Sequence, residues 1–238
     1  MKLQTARGVR DIPPEEKIVK NKVVTSLQSM FERYGFLPLE TPIIERFETL
    51  AAKGGAGTAS DALKETFTFQ DQGKRKLGLR FELTTSLARY VTQNPTLKLP
   101  FKRYEMGPVF RDGPIKLGRY RQFWQCDVDT IGTASMLADA EIVSLAQTFF
   151  NFWNLHVVIK FNDRKLLNGI LTQAGIKNKE NALIAIDKLE KIGIPGVKKE
   201  LQERKYTAVQ IKKVLSCIQE NITLPQLQKI MTDEEGKE

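Results

Sequence analysis

Apolar positions mark out the elements first. After Pro13-Pro14-Glu15-Glu16, Ile18, Val23, Val24, Leu27, Met30 and Phe31 recur at helical spacing, and Gly35 ends the run. This predicts a helix over 15–34, with prolines at its start and acids in its first turn. Residues 36–44 then read as extended chain, and Pro38 and Pro42 place that chain at a sheet edge or an interface. The small residues of 51–60 read as a surface loop. Thr66–Phe69 and Leu77–Glu82 flank Asp71-Gln72-Gly73 and predict a hairpin, with Thr84 or Thr85 capping the next helix. Lys102–Arg111 and Tyr120–Ile131 form a second strand pair around a loop containing Gly113, Pro114 and Gly118. A helix over 135–155 and a strand over 157–161 follow. The aromatic residues Phe149, Phe150, Phe152 and Trp153 are expected in the core, as is Cys217, and His156 is expected to pack or cap.

Beyond Asp163 the pattern is helical throughout, in segments near 164–174, 179–192, 196–204, 207–220 and 224–232. The change from strand-rich to all-helical sequence sets an expected boundary between domains 1–174 and 175–238. The fold class expected is α+β: an antiparallel sheet flanked by helices, with an all-helical domain appended.

The 238 residues contain no apolar run of membrane-spanning length and open on no secretory signal. Two cysteines and one histidine offer neither a disulfide framework nor a metal site, which fits a reducing cytoplasm. The net charge is +9, concentrated in residues 1–174, and suits a polyanionic partner.

The densest chemistry lies in Phe110-Arg111-Asp112-Gly113-Pro114-Ile115-Lys116-Leu117-Gly118-Arg119-Tyr120-Arg121-Gln122-Phe123-Trp124-Gln125-Cys126-Asp127-Val128-Asp129. Strand alternation puts Arg119, Arg121, Phe123, Gln125, Asp127 and Asp129 on one face. Tyr120, Trp124, Cys126 and Val128 lie on the other face, expected to be the packed one. Arginine, ring, amide and acid on one face could hold a nucleotide and a polar substrate. They could equally form an exposed sheet face laced with ion pairs.

Phe110-Arg111, a short loop, then Gly118-Arg119-Tyr120-Arg121-Gln122-Phe123 resembles the second signature motif of class II aminoacyl-tRNA synthetases. With Gln125-Cys126-Asp127-Val128-Asp129 it resembles the histidyl members, particularly their archaeal and eukaryotic-type form. Three further stretches resemble that family in the right order. Arg7-Gly8-Val9-Arg10-Asp11 resembles its N-terminal motif. Tyr34-Gly35-Phe36 through Glu45 resembles the first signature motif, at the dimer interface. Leu79-Arg80-Phe81-Glu82-Leu83-Thr84 resembles its substrate segment. The resemblance implies that Arg111 meets the ATP α-phosphate and the substrate carboxylate, that Arg119 reaches the outer phosphates, and that Phe123 stacks on adenine. It implies that Glu82, Leu83, Thr84, Arg111, Gln125 and Asp129 bind L-histidine. It also implies Mg2+ on the phosphates, tRNA(His) as acceptor and a homodimer. Residues 175–238 match the position of the family's helical insertion domain.

The family's Arg-Gly-Leu-Asp-Tyr-Tyr segment, its third motif and its anticodon-binding domain have no counterpart after Gly175. The chain is therefore expected to be part of a longer enzyme, with doubtful activity alone. The alternative is a non-catalytic paralogue serving as a regulatory subunit in histidine biosynthesis. Such proteins tend to lose the ligand-binding residues that are present here.

Overall fold

The computed structural model describes residues 3–52, 61–160 and 163–219. The chain forms two compact units, residues 1–159 and 160–238.

In the first unit, α1 (Pro14–Arg33) starts with proline in its first turn beside Glu15 and Glu16, where acids complement the helix dipole. Gly35, at φ +78°, takes the left-handed conformation that closes the helix, and the Phe36 N–H returns to the Phe31 carbonyl. Both rings are thereby buried beneath Tyr104 and Leu145. The chain continues through β1 (Leu37–Pro38), β2 (Ile44–Arg46), α2 (Phe47–Ala51), α3 (Asp61–Lys64), β3 (Thr68–Gln70), β4 (Lys76–Leu79), α4 (Thr84–Gln93), β5 (Phe101–Phe110), β6 (Gln122–Ile131) and α5 (Met136–Phe152).

Among the described residues the strands form two three-stranded sheets. In one, β4 lies between β2 and β3, antiparallel to both. In the other, β5 pairs antiparallel with β6 over ten positions, from Phe101 opposite Ile131 to Phe110 opposite Gln122. The short β1 runs parallel to β5 at the sheet edge, where Pro38 needs no ladder donor. Helices α1 and α5 cover the Tyr104–Val128 end of this sheet. Polar contacts fasten them: Tyr34 to Ser144 and Thr148, Trp153 Nε1 to Ser26, and Lys102 to Glu141.

Among the described residues, the second unit contains α6 (Arg164–Gln173), α7 (Lys179–Ile186), α8 (Leu189–Glu203) and α9 (Ala208–Gln219). Their core joins Leu171, Ala182, Ala185, Val197, Leu201 and Val214. Asp163 and Asn178 cap α6 and α7 by accepting backbone N–H bonds. Gly193, at φ +64°, breaks α8 ahead of Pro195. Residues 164–174, helical in pattern but placed before the expected boundary at 174/175, fall within this unit.

Several expectations change. Residues 157–160 form no strand, and Phe161 lies outside the described residues, as do 53–60 of the expected loop and 224–232 of the last helix. Ala51 belongs to α2, which the sequence pattern did not predict. The α5 aromatics are not core: Phe152 is 67% exposed, and on this helix only Leu145 is fully buried. His156 is exposed and Cys217 is half-buried.

Candidate active site

The β5–β6 register sets Arg103 opposite Asp129, Glu105 opposite Asp127, Gly107 opposite Gln125, and Val109 opposite Phe123. These eight residues share the sheet face turned away from α1 and α5. This polar face is the one the protein covers. Its inner strand buries Arg103 at 0% and Glu105 at 1% exposure. The even-numbered face packs against the α1–α5 cluster at Tyr104, Met106 and Val128. Farther out, Cys126 is exposed, and Trp124 is 39% exposed under the ammonium groups of Lys17 and Lys20. The expected assignment of Cys126 and Trp124 to the packed side is therefore corrected.

Burying such charges costs several kcal/mol per ion unless each is paired and hydrogen-bonded. Arg80 supplies one answer. It follows β4 and donates from Nε to the Pro108 carbonyl at 2.9 Å, and from Nη1 to the Thr41 carbonyl at 2.8 Å and Glu105 Oε1 at 2.9 Å. Thr41 donates its own N–H and hydroxyl to the same Glu105 oxygen, at 2.9 and 2.8 Å. The guanidinium has room because residue 107 is glycine: a Cβ there would lie 2.2 Å from Arg80 Nη2.

Glu82, at the start of α4, caps that helix in place of the expected threonines. Its carboxylate accepts from the Thr84 N–H at 2.7 Å, the Thr85 N–H at 2.8 Å and the Thr85 hydroxyl. Burial pushes its pKa up, but the bonds donated by Thr85 and Thr84 outweigh that and hold it below the usual carboxylate range. Asp127 shifts the opposite way. Burial raises its pKa, Arg103 pulls it down, and Asp129, Glu82 and Glu105 raise it further. Gln125 Oε1 is buried and finds no hydrogen-bond partner among the described residues.

At the far end of the same face, the Arg111 guanidinium lies 4.3 Å from the Phe81 ring centroid and 4.9 Å from that of Phe123. Its Nε donates to the Phe81 carbonyl at 3.3 Å. From Phe123 to Asp129 the strand runs about 20 Å, at roughly 3.4 Å per residue. The face thus carries a cation between two rings at one end and an amide and acids at the other. That suits a ligand with an aromatic and anionic part joined to a small cationic part.

A family model described as histidyl-tRNA synthetase matches residues 8–234. The chain belongs to the histidyl-tRNA synthetase family. Histidine–tRNA ligase 1 of Bacillus thuringiensis subsp. konkukian is 46% identical over 228 residues, which are 93% of this chain and 53% of that protein. The histidine–tRNA ligase of Aeropyrum pernix is 41% identical over 215 residues, 89% of this chain and 49% of its own. The crystal structure of histidyl-tRNA synthetase from Nostoc sp. PCC 7120 superposes with a TM-score of 0.83 at 29% identity, over all of this chain and 53% of that one. A structure from Bacillus halodurans C, described as an ATP phosphoribosyltransferase regulatory subunit/histidyl-tRNA synthetase, shares the fold at 19% identity, with a TM-score of 0.79 over 98% of this chain and 60% of that one. The chain spans about half the length of the curated relatives it matches.

Within this synthetase-family fold the expected site residues fall into three groups. Arg111, Phe123, Gln125 and Asp129 line one strand face, with Asp127 between the last two. Glu82, Leu83 and Thr84 enter from the α4 start. Leu83 is fully buried there and Thr84 is exposed. Arg119 lies in the β5–β6 loop, half exposed and 3.3 Å from Glu65. Arg119 and Arg121 precede β6, so the expected strand alternation does not carry them onto this face. Arg121 is instead tied to Asp112 at 3.0 Å, and its N–H reaches the Gly8 carbonyl at 2.8 Å. Gly8 must be small there, since a Cβ would lie 2.8 Å from Arg121 Cγ.

Sequence reasoning missed Arg80, Arg103, Glu105 and Thr41 as parts of the site. The signal was available in Arg103 and Glu105: once the hairpin is registered, their parity puts them opposite Asp129 and Asp127. Among the described residues, no group of three or more His, Cys, Asp or Glu side chains could hold a metal ion.

Proposed function

We propose that this chain forms the ATP- and histidine-binding front part of a histidine–tRNA ligase acting in the cytoplasm. The observation that carries the reading is Arg111 held between Phe81 and Phe123, at one end of a strand face that continues through Gln125, Asp127 and Asp129. In the reaction, a carboxylate oxygen of L-histidine attacks the α-phosphorus of ATP and pyrophosphate leaves. A ribose hydroxyl of tRNA(His) then attacks the carbonyl of the resulting adenylate, and AMP leaves. Both the incoming carboxylate and the α-phosphate are anionic, and charge grows on phosphorus as they approach. A guanidinium fixed by rings and a backbone carbonyl meets that charge without reorganising.

Phe123 offers its ring to adenine and Arg119 its cation to the outer phosphates. Gln125, Asp129 and the Glu82–Thr84 segment take histidine, with carboxylate on ammonium and amide on the polar side chain. Mg2+ would sit on the nucleotide's phosphates, as in other phosphoryl chemistry with ATP. A homodimer is supported by apolar side chains left exposed along the first-motif stretch, Leu37, Ile43 and Ile44, and on α1, Ile18 and Val19. Light scattering that shows only monomer would remove this part. Retention of Arg111, Arg119, Phe123, Gln125 and Asp129 together favours a ligase over a non-catalytic regulatory subunit.

The test is histidine-dependent exchange between ATP and pyrophosphate by the protein that carries this chain. Exchange is expected with histidine alone among the amino acids, and Arg111→Ala should lower it on the order of 10²–10³-fold. Exchange driven by another amino acid, or unaffected by Arg111→Ala, would refute the reading.

A further inference from the structure

We infer that Arg103 is a positioning residue for histidine recognition: a fully buried cation that fixes Asp129 and the Leu83 backbone, and so joins the two segments of the proposed amino-acid pocket. The inference rests on the ligase reading and deepens it.

Arg103 Nη2 lies 2.7 Å from Asp129 Oδ2 on β6 and donates to the Leu83 carbonyl at 3.4 Å, immediately before α4. Its Nη1 lies 3.7 Å from Glu105 Oε2, and Glu105 is anchored in turn by Arg80 and Thr41. One guanidinium therefore ties together β5, β6 and the segment that carries Glu82. With 0% of its side chain exposed it stands behind the pocket wall, while Asp129 in front of it remains 29% exposed. The acid can meet a ligand; the arginine acts through the acid.

Fold stability alone accounts poorly for this residue. Arg103 Nε and Nη1 find no hydrogen-bond partner among the described residues, and a buried cation so incompletely satisfied weakens a fold as readily as it strengthens it. The local charge gives it a use. Asp127 and Asp129 on β6, Glu105 on β5 and Glu82 before α4 all crowd one region, and Arg103 and Arg80 are the buried cations among them. Burial and the neighbouring acids raise the proton affinity of Asp127, and a protonated acid binds an ammonium poorly. Arg103 opposes that by lowering the proton affinity of Asp127 and pairing directly with Asp129.

The experiment is steady-state pyrophosphate exchange with Arg103→Lys and Arg103→Gln, with KM measured separately for histidine and ATP across pH 5–8. Thermal melting of each variant reports whether it folds. Lysine keeps the charge but cannot span Asp129 and Leu83 together. It should raise the histidine KM on the order of 10–100-fold as the ion pair to Asp129 and the Leu83 contact loosen, and leave the ATP KM within about 2-fold. Glutamine removes the charge. It should also move the acid limb of kcat/KM for histidine to higher pH, which a purely structural role would not do. Equal changes in both KM values, or an unchanged histidine KM in a folded Arg103→Lys protein, would overturn the role of Arg103 and leave the ligase reading standing. No histidine-dependent exchange in the unmodified protein would overturn the ligase reading, and this inference with it.

Discussion

Gly107→Ala tests the buried charge network with one methyl group. The added Cβ would lie 2.2 Å from Arg80 Nη2 and 3.4 Å from its Cζ, whereas ordinary contact begins near 3.4 Å. The guanidinium must retreat by roughly 1 Å. It cannot do so freely, because Nε and Nη1 are held at 2.8–2.9 Å by Pro108 and Glu105 on β5 and by Thr41 ahead of β2. A shift of that size breaks at least one of these bonds. Overpacking costs about 1–3 kcal/mol, and disrupting a buried ion pair about 3–5 kcal/mol, so the expected loss is roughly 2–4 kcal/mol. Both tryptophans, Trp124 and Trp153, belong to the first unit, so their fluorescence reports that unit alone. In urea its midpoint should fall by about 1–2 M, given a slope of roughly 2 kcal/mol/M. The helical circular dichroism of residues 163–219 should persist to higher urea. A fluorescence midpoint within about 0.3 M of the unmodified protein would refute the steric argument. In an Arg80→Met background the same alanine should cost much less, and additive losses would show that Arg80 is not the group in the way.

Two pH experiments follow from the opposed carboxyls. Glu82 is held below its usual pKa, so its ionised form stabilises the fold above the unfolded value, and that stability is lost as pH falls through the folded one. The stability gap between the unmodified protein and Glu82→Gln should be widest at neutral pH and close below about pH 4, followed by denaturant titration. Asp127 is raised, chiefly by burial, so its ionised form is a penalty that grows as pH rises through its folded pKa. Asp127→Asn should stabilise the fold at pH 7 and lose that advantage toward pH 4. A gap independent of pH in either variant counts against the assigned environment.

The hairpin of β5 and β6 was legible because alternation persists over ten residues on each strand, and the motif around Arg111 stands at its turn. What alternation could not supply was where the ladder ends. Extending it to Arg119 and Arg121 gave both strand positions they do not hold, since β6 begins only at Gln122 and the Arg121 N–H is bonded to Gly8. Nor does hydrophobicity tell which face is covered. The polar face of the hairpin is buried along β5, where Arg80 bonds Glu105 and Pro108 and Arg103 bonds the Leu83 carbonyl, and the aromatic Trp124 is left to two lysines. Arg103 and Glu105 escaped notice because burying charge contradicts the pattern from which a core is read, and only the partner strand explains it. The α5 aromatics mislead for the converse reason: apolar side chains say that a surface is to be covered, not that this chain covers it. The cap of α4 went to Glu82 instead of Thr84 because a carboxylate two residues earlier can take two N–H groups at once.

That cap bears on how selective the pocket can be. With both oxygens tethered to the helix start, the Glu82 carboxylate has lost its rotational freedom before any ligand arrives. A cation approaching it need not freeze it, so that part of the ordering entropy is already met during folding. The same tether makes the acid a rigid gauge. An amine displaced by an ångström finds a carboxylate that cannot follow without unwinding the first turn of α4, and misfit is registered as backbone strain instead of being absorbed by a moving side chain.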